Sequence, residues 1–315
     1  MDRNLALELV RVTEAAALAS ARFFGKGDPL AAEHAAVSAM EIAFRGVKIK
    51  GHLIMGEENM GNNCTLCTGD TVGTGADPEV DIAVVPLASG RSLANGQANA
   101  ISAIAIAERG SFMDPPSPYM RKIVTDSEAA DSIDLGSSVF DNLVAIAESK
   151  RMYVEDLTVS ILDDERHGQL IEQVRQSGAR IELLREGDLA SSIAAALTGT
   201  VVDVVMGTGS SREGITAAAA VTCVGGGMQA RFLPSPDSDP DSLPGEFKKI
   251  YGLEEIVSGV NVMFAATGVS YCDFLEGIDF HHGGATTHSA VFRNKSGTTR
   301  YLKTDHFFDK APDYT

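Results

Sequence analysis

The sequence predicts an α/β fold, layered and in two parts, with a largely parallel sheet in its second half. Three observations predict it. From residue 157 onward, short apolar runs alternate with segments of helical period, which is the signature of βαβ units. Ahead of them, residues 4–45 read as two helices followed by isolated short strands. An apolar content of 44% in 315 residues is enough to fill the core of one large or two modest domains. The boundary is placed near residue 155, giving an N-terminal α/β part over 1–155 and a C-terminal α/β part over 156–315.

The elements follow in order. Residues 4–23 carry Leu5, Leu7, Leu9, Val12, Ala16 and Leu18 at helical spacing, and Gly25, Gly27 and Pro29 end that helix. A second, alanine-rich helix spans about 31–45. Strands are expected at His52–Met55, Asp81–Val85 and Ser102–Ala107. Ser137 or Ser138 caps a helix that runs to about Ser149. Leu157–Leu162, Arg180–Leu184 and Val201–Met206 then read as strands, with helices over Arg166–Ser177, Leu189–Leu197 and from Arg212. Ligands in such sheets bind beyond the carboxyl ends of the strands. This singles out Asp163–His167, Glu186–Asp188 and Gly207–Glu213, the last read as a loop leading into a helix N-terminus, where anions are favoured. Residues 234–245 are rich in Pro, Ser and Asp and read as a mobile surface loop. Val260–Ala266 is a buried strand, and 285–308 is a hairpin turning at Asn294–Gly297.

A net charge of −17 excludes a nucleic-acid partner, which needs a basic face. Local Arg, Lys and backbone N–H groups still suit small anions. With no apolar run of about 18 residues, no membrane-spanning segment is expected. The opening Met-Asp-Arg-Asn-Leu has no signal-peptide core, and four cysteines fit a reducing, cytoplasmic setting. Cys64 and Cys67 form a C-x-x-C without a second pair to complete a zinc site, and read as two ordinary thiols on a strand.

Several segments together carry a family resemblance. They include Arg11–Leu18, Gly25–Asp28, Met55-Gly-Glu57, Val80–Val84, Asn95–Ala100, Arg166-His167, Gly187-Asp188, Val202–Val205, Glu213-Gly214, Ala266-Thr-Gly268, Leu275–Ile278 and Ala285-Thr-Thr287. In this order, over nearly the whole chain, they resemble the class II fructose-1,6-bisphosphatases of bacteria, relatives of the lithium-sensitive phosphatases. The resemblance implies that family's layered sugar-phosphatase fold and a homodimer or homotetramer. It also implies a phosphorylated sugar as ligand, and hydrolysis of a sugar 1-phosphate with Mg²⁺ or Mn²⁺. Those cations need hard oxygen ligands.

The family's metal residues carry over unevenly. Glu57 and Glu213 match ligands directly, and Glu33 stands where the family has Asp. The run Val85-Pro-Leu-Ala-Ser-Gly90 keeps the frame of an Asp-Pro-Ile-Glu-Gly-Thr motif. Val85 and Ala88 replace its two carboxylates, and Gly90 replaces its threonine. Pro29 replaces a lysine, and Asn59 and Gly61 alter the acidic stretch after Glu57. The resemblance therefore implies at most one divalent cation, among Glu33, Glu57 and Glu213. On the substrate side it implies roles for Tyr119, Arg166, His167, Asp188, Gly209 and Ser210, with Arg166 suited to bidentate phosphate contact. His281, His282 and His288 lie close in sequence, and His288 falls where the family has Glu. They read either as replacement chemistry or as surface histidines.

Three functions stay open. The first is a repurposed enzyme that isomerises, epimerises or cyclises a sugar phosphate, with Glu33, Glu57, Glu58 or Glu213 as general base and a neighbouring acid or histidine as its partner. The second is a residual metal-dependent sugar-bisphosphate phosphatase. The third is a noncatalytic sugar-phosphate binder.

Overall fold

The structure is a computed structural model that describes residues 4–57, 65–238 and 242–309, without the side chain of Glu246. Glu58, Asn59, Gly61 and Cys64 lie outside the described residues. The chain forms two compact units. Residues 1–112 and 259–315 make the first, and 113–258 the second. The sequence reading divides the chain once, at 155, whereas the strands after residue 259 return to pair with those before residue 112.

In the first unit, α1 (Leu5–Ala21) and α2 (Pro29–Phe44) precede β1 (Lys50–Met55), β2 (Thr71–Val72), β3 (Glu79–Val85), α3 (Gly90–Ala94) and β4 (Ile101–Glu108). Helix α1 buries Leu5, Leu9, Val12 and Ala16 in the core, while Leu7 faces solvent. Pro29 opens α2 rather than closing α1. Its missing N–H is no loss at a first helical position, and Asp28 caps the helix by accepting the Ala31 N–H at 3.0 Å.

The second unit contains β5 (Tyr119–Thr125), α4 (Val139–Lys150), β6 (Thr158–Leu162), α5 (Gly168–Ser177), β7 (Arg180–Leu184), α6 (Leu189–Ala196), β8 (Val204–Ser210), α7 (Ser211–Val224), β9 (Gly227–Leu233), β10 (Tyr251–Gly252) and α8 (Leu253–Ile256). Ser138 caps α4 by accepting the Asp141 N–H. The expected βαβ units appear as β6-α5-β7 and α6-β8, and strands β8, β6 and β7 run parallel. The other half of the sheet is antiparallel, in the order β10-β9-β5-β8-β6-β7, so the sheet is mixed. Residues 207–210 are not a loop. They extend β8, because each pairs with β5 as far as Ser210 opposite Tyr119, and α7 follows at once.

Back in the first unit come β11 (Met263–Gly268), β12 (Asp279–His281), β13 (Gly284–Arg293) and β14 (Thr298–Phe307). They complete an eight-stranded mixed sheet ordered β12-β13-β11-β4-β3-β1-β2, with β14 on the other side of β13. The hairpin β13–β14 turns over 294–297, with Gly297 in the left-handed region at φ +54°. Strands β3 and β4 are buried almost throughout, which explains the apolar runs 82–85 and 103–107. Among the described residues, no helix is long and apolar enough to cross a membrane.

Candidate functional site

Two groups of residues, one in each unit, correspond to the expected site. In the first unit, β1 and β3 are parallel neighbours, so their carboxyl ends meet at one edge of the sheet. Glu57 follows β1 there. Its backbone N–H donates to the Leu66 carbonyl at 2.8 Å, and it bridges in register to Cys67. Cys67 is disulfide-bonded, whereas Cys223 and Cys272 are in no disulfide, so the reading of Cys67 as an ordinary thiol does not hold. Beyond β3, Val85 is 0% exposed, and Pro86, Leu87 and Ala88 are buried with it. Ser89 takes a left-handed backbone at φ +58°, and Gly90 opens α3.

Glu33, on α2, reaches this turn. A Cβ built on Gly90 would lie 2.9 Å from Glu33 Oε1 and 3.2 Å from its Cγ. The carboxylate of Glu33 therefore fills the space that a side chain at position 90 would need.

In the second unit the strand ends converge. Lys122 on β5 donates through Nζ to Asp188 Oδ2 at 2.5 Å, and the two side chains are 0% and 5% exposed. Asp188 stands at the start of α6 after Gly187, whose φ of +59° suits glycine. Its backbone N–H donates to Glu213 Oε2 at 3.3 Å. Glu213 sits in the first turn of α7. Burial, and then the neighbouring Asp188 carboxylate, push its carboxyl above the ordinary range. Gly209 on β8 leaves room for the pair, since a Cβ there would lie 2.6 Å from Asp188 Oδ2 and 3.0 Å from Lys122 Nζ. Tyr119 and Ser210 are direct cross-strand partners, both half-buried.

Arg166 and His167 follow β6 and differ in kind. Arg166 Nη1 lies 3.2 Å from Asp164 Oδ2, while its Nε is buried without a hydrogen bond. It lines a cavity of about 490 Å³ with Arg121, Gln169, Gln173, Thr208 and Ser238. His167 is buried, and both ring nitrogens are engaged. Nδ1 donates to the Leu162 carbonyl at 3.0 Å, and Nε2 accepts the Thr208 N–H at 2.9 Å. This is a neutral imidazole, and burial lowers its pKa. Both nitrogens of its ring are thus occupied within the chain, tying the end of β6 to β8.

The whole chain matches a known group. A family model described as "Bacterial fructose-1,6-bisphosphatase, glpX-encoded" covers residues 3–306. The chain belongs to this class II fructose-1,6-bisphosphatase family. Relatives named D-fructose 1,6-bisphosphatase class 2/sedoheptulose 1,7-bisphosphatase agree with it. The protein of Microcystis aeruginosa is 34% identical over 100% of this chain and 99% of its own length. That of Trichodesmium erythraeum is 34% identical over 99% and 98%, and that of a Synechocystis species 32% over 97% and 97%.

Class II fructose-1,6-bisphosphatases are metal-dependent, and the residues of the β3 turn do not fit a two-ion centre. Mg²⁺ and Mn²⁺ require oxygen ligands. Val85, Ala88 and Gly90 supply no side-chain oxygen, and Glu33 already fills the space at Gly90. Among the described residues, no group of three or more His, Cys, Asp or Glu stands close enough to hold a metal ion.

The histidines of the hairpin region do not gather. His281 and His282 are exposed, while His288, opposite Lys303, lines a cavity of about 250 Å³ with Tyr271, Asp273, Glu276 and Tyr301. The sequence reading missed Lys122 and Arg121. The signal for Lys122 is its place on one strand face between Met120 and Val124, two apolar residues at period two, where a lysine must find a buried partner.

Proposed function

We propose that this chain binds a phosphorylated sugar at the strand ends of its second unit and converts it by proton transfer, not by two-metal hydrolysis. The observation that carries this reading is the buried, apolar run from Val85 to Ala88, with Glu33 packed against Gly90. The second unit supports it with a complete set of polar groups. Arg166 takes a phosphate, Asp188 accepts a sugar hydroxyl, and Tyr119, Gly209 and Ser210 shape the wall. Isomerisation, epimerisation and cyclisation each move protons between atoms of the sugar, which requires a paired acid and base. Glu213, its pKa raised, is the acid. Asp188, whose backbone N–H meets Glu213, is its neighbouring acid, while Glu33, Glu57 and Glu58 are the acids that the resemblance names in the first unit. By resemblance, the protein assembles as a homo-oligomer, which light scattering of the purified protein tests.

A second reading is favoured by similarity over the full length to proteins named as bisphosphatases. In it, the chain is a metal-dependent phosphatase with a weakened metal site, acting on fructose 1,6-bisphosphate or sedoheptulose 1,7-bisphosphate. One experiment separates the two. The protein is incubated with each bisphosphate, with and without Mn²⁺, while released phosphate and the sugar are followed by NMR. New sugar resonances without phosphate release support the first reading. Phosphate release that requires Mn²⁺ supports the second and overturns the first. Sugar lines that broaden without any product indicate a binder without turnover.

A further inference from the structure

We propose that Lys122 is the positioning residue that turns Asp188 into a receptor for a neutral sugar hydroxyl. This rests on the reading of Asp188 as a sugar contact and adds a residue to it. An aspartate at the start of a helix ordinarily accepts one of the helix's first N–H groups. Asp188 holds that position at α6 and makes no such bond. Its Oδ2 is drawn instead to Lys122 Nζ at 2.5 Å. Oδ1 is buried and accepts no hydrogen bond at all. A buried carboxylate oxygen without a donor is unfavourable, so the arrangement calls for one from outside the chain.

The charge balance states which kind of donor. Lys122 already neutralises Asp188, and its own side chain is 0% exposed. A cationic donor at Oδ1 would add a second positive charge beside a buried ammonium. An uncharged O–H fits. The geometry also depends on Gly209, because a Cβ there would intrude to 2.6 Å from Asp188 Oδ2 and 3.0 Å from Lys122 Nζ. Three residues from β5, β8 and the start of α6 therefore hold one oxygen in place. Lys122 touches no ligand itself. It acts by taking Oδ2 and leaving Oδ1 as the free acceptor.

The test measures binding by calorimetry for two ligands, fructose 1,6-bisphosphate and propane-1,3-diyl bisphosphate, which has two phosphates and no hydroxyl. The wild-type protein is expected to prefer the sugar by about tenfold or more, the order of one charge-assisted hydrogen bond. In Lys122→Met the sugar is expected to weaken by that factor while the hydroxyl-free bisphosphate changes by less than about twofold, a split that general loss of structure would not produce. Lys122→Gln leaves Asp188 in place, puts a shorter uncharged group beside it and serves if Lys122→Met does not fold. It too is expected to lose the preference. If the wild-type protein prefers the sugar and the folded variants keep that preference, Lys122 has no such role while the sugar site stands. If the variants lose both ligands equally, Lys122 is only structural. If the wild-type protein shows no preference, the sugar reading of Asp188 falls and this inference with it.

Discussion

The contact between Glu33 and Gly90 bears on how a metal motif could be built at the β3 turn. Val85→Asp and Ala88→Glu add two carboxylates at positions that are 0% and 1% exposed. Gly90→Thr adds a side chain whose Cβ would start 2.9 Å from Glu33 Oε1, so the flexible Glu33 carboxylate must shift, and Glu33→Asp withdraws it. Without metal, each buried and uncompensated charge costs about 3–5 kcal/mol. Losing the buried valine adds about 1.5–3 kcal/mol. The metal-free fourfold variant is therefore expected to unfold at a clearly lower temperature than the parent. A cation that binds the rebuilt site adds back about 2.7 kcal/mol at a hundred times its dissociation constant. Thermal unfolding with and without Mn²⁺ reads this directly, with a Mn²⁺-dependent rise in the variant and none in the parent. Phosphate release from fructose 1,6-bisphosphate is expected to rise at least about a hundredfold over the parent, which corresponds to about 2.7 kcal/mol of barrier. The same variant with Glu33 retained should be less stable and less active. The reasoning is refuted if the parent already releases phosphate with Mn²⁺ as fast as the rebuilt variant, or if Mn²⁺ leaves the variant's unfolding temperature unchanged.

Other consequences follow from the same geometry. Gly209→Ala forces a Cβ against the Lys122–Asp188 pair and is expected to destabilise the protein by about 1–3 kcal/mol in urea unfolding, an overpacking cost. His167 is held neutral, with a pKa below its ordinary value of 6.5. The unfolded chain then takes up a proton that the native state refuses, so stability is full above about pH 6.5 and falls as the pH drops through the folded value. Unfolding midpoints measured from pH 8 to pH 5 should show that fall, and His167→Gln should flatten it. Burial pushes the Cys272 thiol up to about 12. In the native protein it should stay unmodified by iodoacetamide at pH 8, and mass spectrometry should find it labelled only after denaturation.

What the sequence discloses is what local pattern carries. Helix α1, the alternation from β6 to α7 and the hairpin β13–β14 are each written in the period of neighbouring residues, so they are legible. The return of the chain is not, because β11 pairs with β4 across more than 150 positions, and periodicity holds no record of distant partners. Gly207–Ser210 read as a loop since two glycines punctuate it, but pairing with β5 overrides that local preference. The site divides in the same way. Val85, Ala88 and Gly90 are legible as residues without a side-chain oxygen because a contiguous motif supplies the frame. The contact of Glu33 with the Gly90 turn, and the engagement of both His167 nitrogens, appear only when helix and strand ends meet. Lys122 is the most instructive omission. A buried ion pair is seldom more stable than apolar residues of the same volume, so core stability gives no reason for a Lys–Asp pair at this depth. One oxygen of that pair is left without a donor. The sugar hydroxyl proposed at Asp188 supplies that donor, so the proposal accounts for an ion pair and an open acceptor that core stability alone gives little reason to bury.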